Sequence, residues 1–182
     1  MATVGIYSPG AMGSTLAYSC SLNGHKTIWA SEGRSEETKS RAKKFGIEDV
    51  FSLDNLFEQS DFMFVIASNF DAFEFARVVA SRGFDGIYVD FNTMYTDTDG
   101  PELEKILVPS GIKYAEGALR GWPVVEPTEE NTGEKTMYLS GLYADKVKEL
   151  FGGFWRIRTM PQSAKLLNRV LAEELAIIYG QG

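Results

Sequence analysis

The turn Tyr7-Ser8-Pro9-Gly10-Ala11-Met12-Gly13-Ser14 constrains this chain more than any other segment. It follows a short apolar run, Thr3 to Tyr7, that fits a buried parallel strand. It opens a helical pattern from Ala11 to Leu22, which Asn23-Gly24 ends with a common left-handed stop. A strand that passes through glycines straight into a helix belongs to a crossover unit, so a parallel sheet covered by helices is expected. Set against the spacing G-x-G-x-x-G, Ser8 takes the place of the first glycine, and Gly10 and Gly13 supply the other two. Gly10 would let the backbone approach a pyrophosphate, Gly13 would let the helix lie close on the strand, and the helix amides would hold phosphate oxygens. Ser8, Pro9, Gly10, Ala11, Met12 and Gly13 are therefore the first cofactor-binding candidates. The competing reading is a glycine-rich turn that binds nothing.

The rest of the chain keeps the alternation. Lys26 to Ala30 reads as a strand, Ser35 to Phe45 as a polar helix ended by Gly46, and Asp54 to Gln59 as a short helix. The strand Phe62 to Ala67, the helix Phe70 to Ser81, the strand Gly86 to Asp90 and the helix Pro101 to Val108 follow. Lys113 to Glu116, Thr136 to Ser140 and Phe154 to Ile157 read as further strands, with a helix from Tyr143 to Phe151 and a polar loop from Glu126 to Gly133. The expected fold is α/β: a Rossmann-type, doubly wound, mostly parallel sheet over residues 1–160, followed by an apolar helix. In that helix, from about Gln162 to Tyr179, Leu166, Leu167, Val170, Leu171, Leu175, Ile177 and Ile178 cover more than one face. Such a helix is buried on several sides, and no residues follow Gly182 to bury it. Residues 161–182 are accordingly expected to be an interdomain helix or to form a homodimer interface.

Composition narrows the function. Apolar residues make up 44% and charged residues 24%, which suits a globular chain rather than a disordered one. No stretch approaches the roughly 20 apolar residues of a membrane helix. Met1-Ala2-Thr3-Val4 runs into the first strand without a basic leader, so a cytoplasmic location is expected. Cys20 is the only cysteine and His25 the only histidine, which leaves little for a Cys/His metal site or a histidine-dependent nucleophile. The 18 basic and 25 acidic residues give a net charge of -7, with no basic tract to bind nucleic acid or an anionic membrane. An anionic ligand can still be held by backbone amides and one or two arginines.

The end of the second strand bears on the cofactor. A carboxylate about 20 residues beyond the glycines reads the ribose of NAD, whereas an arginine accommodates a 2′-phosphate. Here Trp29-Ala30-Ser31 is followed by Glu32-Gly33-Arg34-Ser35. Ser31 stands where an acid would, and Arg34 with Ser35 can grip a phosphate, which favours NADP. Glu32 as a ribose reader, and a solvated Glu-Arg loop pair, are the alternatives.

These motifs resemble the N-terminal half of the β-hydroxyacid dehydrogenases, the group containing 6-phosphogluconate and 3-hydroxyisobutyrate dehydrogenases. Gly10-Ala11-Met12-Gly13 matches the G-x-M-G of that family. Asp90-Phe91-Asn92-Thr93 resembles its Asp-x-Ser-Thr loop beside the nicotinamide, with Asn92 in place of serine. Glu116-Gly117-Ala118-Leu119-Arg120-Gly121-Trp122 corresponds to its substrate stretch, with Arg120 where the family has serine. Lys165-Leu166-Leu167-Asn168 matches the lysine and asparagine of its interdomain helix. The resemblance implies hydride transfer between NADP(H) and a small, acidic hydroxy or keto compound. It implies Lys165 and Asn168 as catalytic residues, Ala67, Ser68 and Asn92 as further cofactor contacts, and Thr93, Arg120 and Gly121 as substrate contacts. It also implies a second, helical domain that completes the cleft. Without such a domain, the alternative is a non-catalytic NADP-binding module or an interaction protein.

Read from the residues alone, Lys165 and Asn168 share one helical face at i and i+3. A lysine buried beside a cofactor exchanges a proton with a substrate oxygen, and a solvent-facing lysine does nothing. Glu116 and Asp90 are the competing acids at strand ends, Asp90 being better suited to ordering its own loop. His25 is expected at the surface of a turn and Cys20 packed against the sheet. Phe70, Phe73 and Phe75 are expected to cover the sheet, and Met12 to touch either the cofactor or the core.

Overall fold

Short runs rich in β-branched and aromatic residues form the strands, and the serines ahead of polar runs start several of the helices. The computed structural model describes residues 1–92, 99–128, 134–161 and 163–164, with backbone alone at 69–70 and 99–101. In chain order the elements are β1 (Thr3–Ile6), α1 (Ala11–Leu22), β2 (Lys26–Trp29), α2 (Glu36–Lys44), β3 (Glu48–Asp49), α3 (Leu53–Gln59), β4 (Phe62–Val65) and α4 (Asn69–Arg82). Then come β5 (Ile87–Asp90), α5 (Asp99–Leu107), β6 (Lys113–Arg120), β7 (Lys135–Ser140), α6 (Ala144–Lys148) and β8 (Trp155–Met160). The eight strands form one sheet in the order β3-β2-β1-β4-β5-β6-β7-β8. Every neighbouring pair is parallel except β6–β7, which is antiparallel. The winding reverses between β1 and β4, so the crevice of a doubly wound sheet opens there.

Burial follows the strand period of two. Val4, Ile6, Phe64 and Val89 face a cluster with Leu16, Ala17 and Cys20 of α1 and Val147 of α6. Ile28, Met63, Val65 and Tyr88 face the other side, against Leu56 of α3, Phe75 and Val79 of α4 and Leu103 of α5. Strands apolar on both faces are what a parallel sheet covered on both sides requires. Phe75 packs in the sheet cover, as the sequence led us to expect. The polar side chains of α1 reach backbone carbonyls: Ser14 Oγ donates to Pro9 O at 3.1 Å, and Ser19 Oγ to Gly152 O at 2.6 Å. His25 is half-buried in its turn, where Nδ1 accepts from the amide of Ala2 at 3.0 Å. Among the described residues no helix is long and apolar enough to cross a membrane.

Beyond shifts of one or two residues at other element ends, four differences from the sequence reading have a tertiary cause. Strand β3 is absent from it, because Glu48 and Asp49 are both exposed at a sheet edge and carry no apolar signal. Strand β6 runs on to Arg120 because antiparallel β7 pairs with its second half. Strand β8 reaches Met160, paired along its length with β7. Helix α6 ends at Lys148, and Phe151 turns in to stack on Phe64 at 5.5 Å between ring centroids. The expected helix over 162–179 lies outside the described residues.

Cys20 is fully enclosed, and burial pushes its thiol well above the usual range. Because the thiolate is the reactive form, the native protein at pH 8 should resist alkylation and react only through molecules that have opened. Mass spectrometry after timed exposure to iodoacetamide, with and without denaturant, checks this. Rapid modification in buffer alone would contradict the packing.

Candidate functional site

The carboxyl ends of β2, β1, β4 and β5 lie side by side in the sheet, and each carries a predicted contact. At β1 the chain turns through Ser8-Pro9-Gly10 into α1. A Cβ on Gly13 would run into the carbonyl oxygen of Ser8 and come within 3.3 Å of Ile66 Cγ2, so only glycine lets α1 lie this close to the ends of β1 and β4. A Cβ on Gly10 would meet nothing within 4 Å, so the backbone there borders open space. Ser35, Ser52 and Ser68 cap α2, α3 and α4, each hydroxyl accepting the amide three residues on. Helix α1 differs: its cap is Gly10, no side chain bonds to its first amides, and its first turn has no acidic residue. No side chain caps or neutralises its positive end.

The loop after β2 reaches back across β1. Ser31 is buried, and its carbonyl accepts from the amide of Arg34 at 3.1 Å, closing a turn with Gly33 at φ +70°. Arg34 Nη2 donates to Tyr7 O at 3.0 Å, and its guanidinium lies 4.9 Å from the centroid of the Tyr7 ring. Tyr7 in turn stacks on Phe75 of α4 at 3.7 Å. One Arg34 nitrogen is thus committed to holding the β1 and β2 ends together, and the guanidinium fork has further donors for an anion. Glu32 is exposed, and Ser35 Oγ accepts the amide of Thr38 as the cap of α2.

The ends of β4 and β5 are tied in the same way. The amide of Ala67 donates to Asn92 Oδ1 at 2.5 Å. Asn92 also donates to Asp90 Oδ1, from its backbone amide at 3.1 Å and from Nδ2. Asp90 and Asn92 are both buried, so the aspartate orders its own loop as the sequence led us to expect. Met12 is half-buried in the first turn of α1.

Strand β6 overshoots β5. Glu116 is the Cα partner of Asp90 at the last β5–β6 pair, and Arg120 lies four residues further on, exposed at the strand end. Gly121 follows at φ +125° against Lys135. The chain then folds back over α1: the amide of Val124 donates to Thr15 Oγ1 at 2.8 Å, and Lys44 of α2 pairs with Glu126 at 2.5 Å. Between this strap and the helices lies a groove of about 400 Å³, lined by Ala11, Arg41, Lys44, Pro123, Val124 and Val125 among others. The strap and Tyr7 were not singled out in the sequence, because their roles depend on partners far along the chain.

Glu116 is placed differently from the exposed acid a proton carrier would be. Its carboxylate accepts from Tyr114 Oη at 3.2 Å, from Ser140 Oγ at 3.3 Å and from Ser163 Oγ, and Ser140 Oγ accepts the amide of Ala164 at 2.8 Å. It clasps the chain as it leaves β8. Burial, followed by the charge of Asp90, pushes the phenols of Tyr88 and Tyr114 well above their ordinary value. Thr93, Lys165 and Asn168 lie outside the described residues.

No family model matches the sequence, and no curated protein matches it. Solved structures do share the fold. An imine reductase from Myxococcus stipitatus in complex with NADP+ matches with a TM-score of 0.74 and 19% identity, over 99% of this chain and 63% of that one. The 3-hydroxyisobutyrate dehydrogenase of Mycobacterium tuberculosis, solved with L-serine, matches at 0.74 and 14% identity, over 97% of this chain and 61% of that one. A conserved protein of unknown function, similar in structure to 3-hydroxyacid dehydrogenases, matches at 0.73 and 21% identity, over 94% and 64%. The chain therefore spans a little over three fifths of the length of each. The shared property is the α/β fold.

Proposed function

We propose that this chain is the dinucleotide-binding part of an NADP-dependent oxidoreductase acting on a small, acidic hydroxy or keto compound. The observation that carries the reading is the free amino end of α1 beside Gly10, set at the sheet's switch point with Arg34 across the adjoining strand end. The residues present fit the group: open space over Gly10, close packing at Gly13, and a cation beside Ser31. The NADP+ bound in the Myxococcus stipitatus reductase supports a nicotinamide dinucleotide. When bound, that cofactor supplies or accepts hydride. The amides of α1 would hold its pyrophosphate, Arg34 and Ser35 its 2′-phosphate, and Ala67, Ser68 and Asn92, at the ends of β4 and β5, would contact its other half. Arg120, at the open end of β6, would hold a substrate carboxylate or phosphate, and Gly121 and Thr93 would be further substrate contacts. Lys165 would exchange a proton at its Nζ with the substrate oxygen, and Asn168 would orient that amine or the substrate.

The reading is tested by titration of NADPH and NADH. NADPH should bind more tightly, and Arg34→Ala should cost NADPH roughly 1.5–3 kcal/mol while leaving NADH nearly unchanged. Equal losses for both would show that Arg34 supports the turn through Tyr7 and does not read the phosphate. Absence of binding by either would remove the reading.

The apolar pattern of residues 166–178 supports self-association. Burying each leucine-sized side chain contributes roughly 1.5–3 kcal/mol, so a few suffice for a homodimer. Sedimentation equilibrium should give twice the chain mass at micromolar concentration. A monodisperse monomer at high micromolar concentration would contradict this.

A further inference from the structure

We infer that Phe51 is a stacking surface for the adenine base of the dinucleotide, a binding contact that rests on the cofactor reading above. Phe51 is the one non-glycine residue with positive φ among the described residues, at +66°. A bulky side chain is rarely found there, and such outliers persist where the surrounding structure holds them for a reason. The holding is visible. Ser52 N donates to Val50 O at 2.8 Å, closing a three-residue γ-turn centred on Phe51. Asp49 Oδ1 accepts the Phe51 amide at 2.8 Å, and Asn55 Nδ2 donates to Val50 O at 2.9 Å. The carbonyl of Phe51 accepts the amide of Glu32 at 2.9 Å, so the turn is fastened to the loop that carries Ser31 and Arg34.

This strained turn does not serve packing. A phenylalanine fixed in the left-handed region would be worth its strain in a core, yet this side chain is 63% exposed. Asparagine or glycine would make the same turn without the ring. What the turn achieves is to stand an aromatic face in solvent at the carboxyl end of β3, the strand next to β2 and one bond from the ribose-reading loop. The adenine and the 2′-phosphate are carried by one ribose, so a phosphate held at Arg34 would bring the base toward the Phe51 turn that is bonded to the same loop. A planar, uncharged base is the ligand that an isolated aromatic face recognises, because stacking needs no hydrogen-bond partner.

The test uses the full chain and three probes, NADPH, NADH and adenosine 2′,5′-bisphosphate, by calorimetric titration. Phe51→Gly relieves the backbone and removes the ring, so it should fold with a melting temperature no lower than the parent. It should weaken all three probes by the same factor, about 5- to 30-fold. Phe51→Trp should restore the affinity, since only the aromatic face is needed. Parent-like affinity in Phe51→Gly, with binding otherwise intact, would overturn this inference and leave the cofactor reading standing. Failure of the parent itself to bind NADPH and the bisphosphate would overturn both. A loss confined to the two probes bearing a 2′-phosphate would also overturn the inference, since it would trace to a displaced Arg34.

Discussion

Replacing Gly13 by valine should both destabilise the fold and abolish tight dinucleotide binding. The first added carbon already collides with the Ser8 carbonyl and crowds Ile66, and both belong to backbone or to a packed strand end that has little room to give. Helix α1 must therefore lift off the sheet. Overpacking of this kind costs about 1–3 kcal/mol, and for a chain of this size each kcal/mol lowers the melting temperature by roughly 2–4 °C. Lifting α1 also moves the amides that would hold the pyrophosphate. Each charge-assisted bond lost is worth about 1.5–3 kcal/mol, a factor of roughly ten or more in affinity. Thermal melts and NADPH titration of the same sample separate the two effects. A folded Gly13→Val variant that binds NADPH as the parent does would refute the fingerprint reading.

Lys165→Ala should lower turnover by roughly 10²–10⁴-fold with NADPH affinity nearly intact, as expected for the loss of a proton donor that does not hold the cofactor. The substrate for this assay comes from screening hydroxy acids, keto acids and imines against NADPH oxidation and NADP+ reduction. Glu116 is a weaker rival for the proton than the sequence implies, because Tyr114, Ser140 and Ser163 already occupy its carboxylate. A rate that survives Lys165→Ala would return the role to Glu116 or to water. If no compound turns over while NADPH binds, the chain is a cofactor-binding module, a reading that Arg120 in place of the family's serine also favours.

What the sequence determined by itself is local. The apolar runs, Gly10 and Gly13 at their spacing, and Ser35 at a helix start act over a few residues, so the strand-turn-helix unit and the α/β alternation were legible. So were the strand ends bearing Ser8 and Ser31, because doubly wound topology follows from alternation and handedness, whereas Ala67 and Asn92 entered only through the family resemblance. The tertiary structure alone decided how those ends are fastened. Arg34 reaches Tyr7 across 27 residues, Asn92 reaches Ala67 across 25, and Val124 reaches Thr15 across 109. No local pattern encodes a hydrogen bond closed over such distances, since each partner looks ordinary in its own segment. Strand β3 escaped notice because two exposed acids acquire strand geometry only from pairing with Ile28 and Trp29. Phe51 escaped for the same reason: its left-handed backbone is imposed by Asp49, Asn55 and Glu32 together, and a phenylalanine between Val50 and Ser52 gives no sign of it until the fold brings Glu32 within hydrogen-bonding distance.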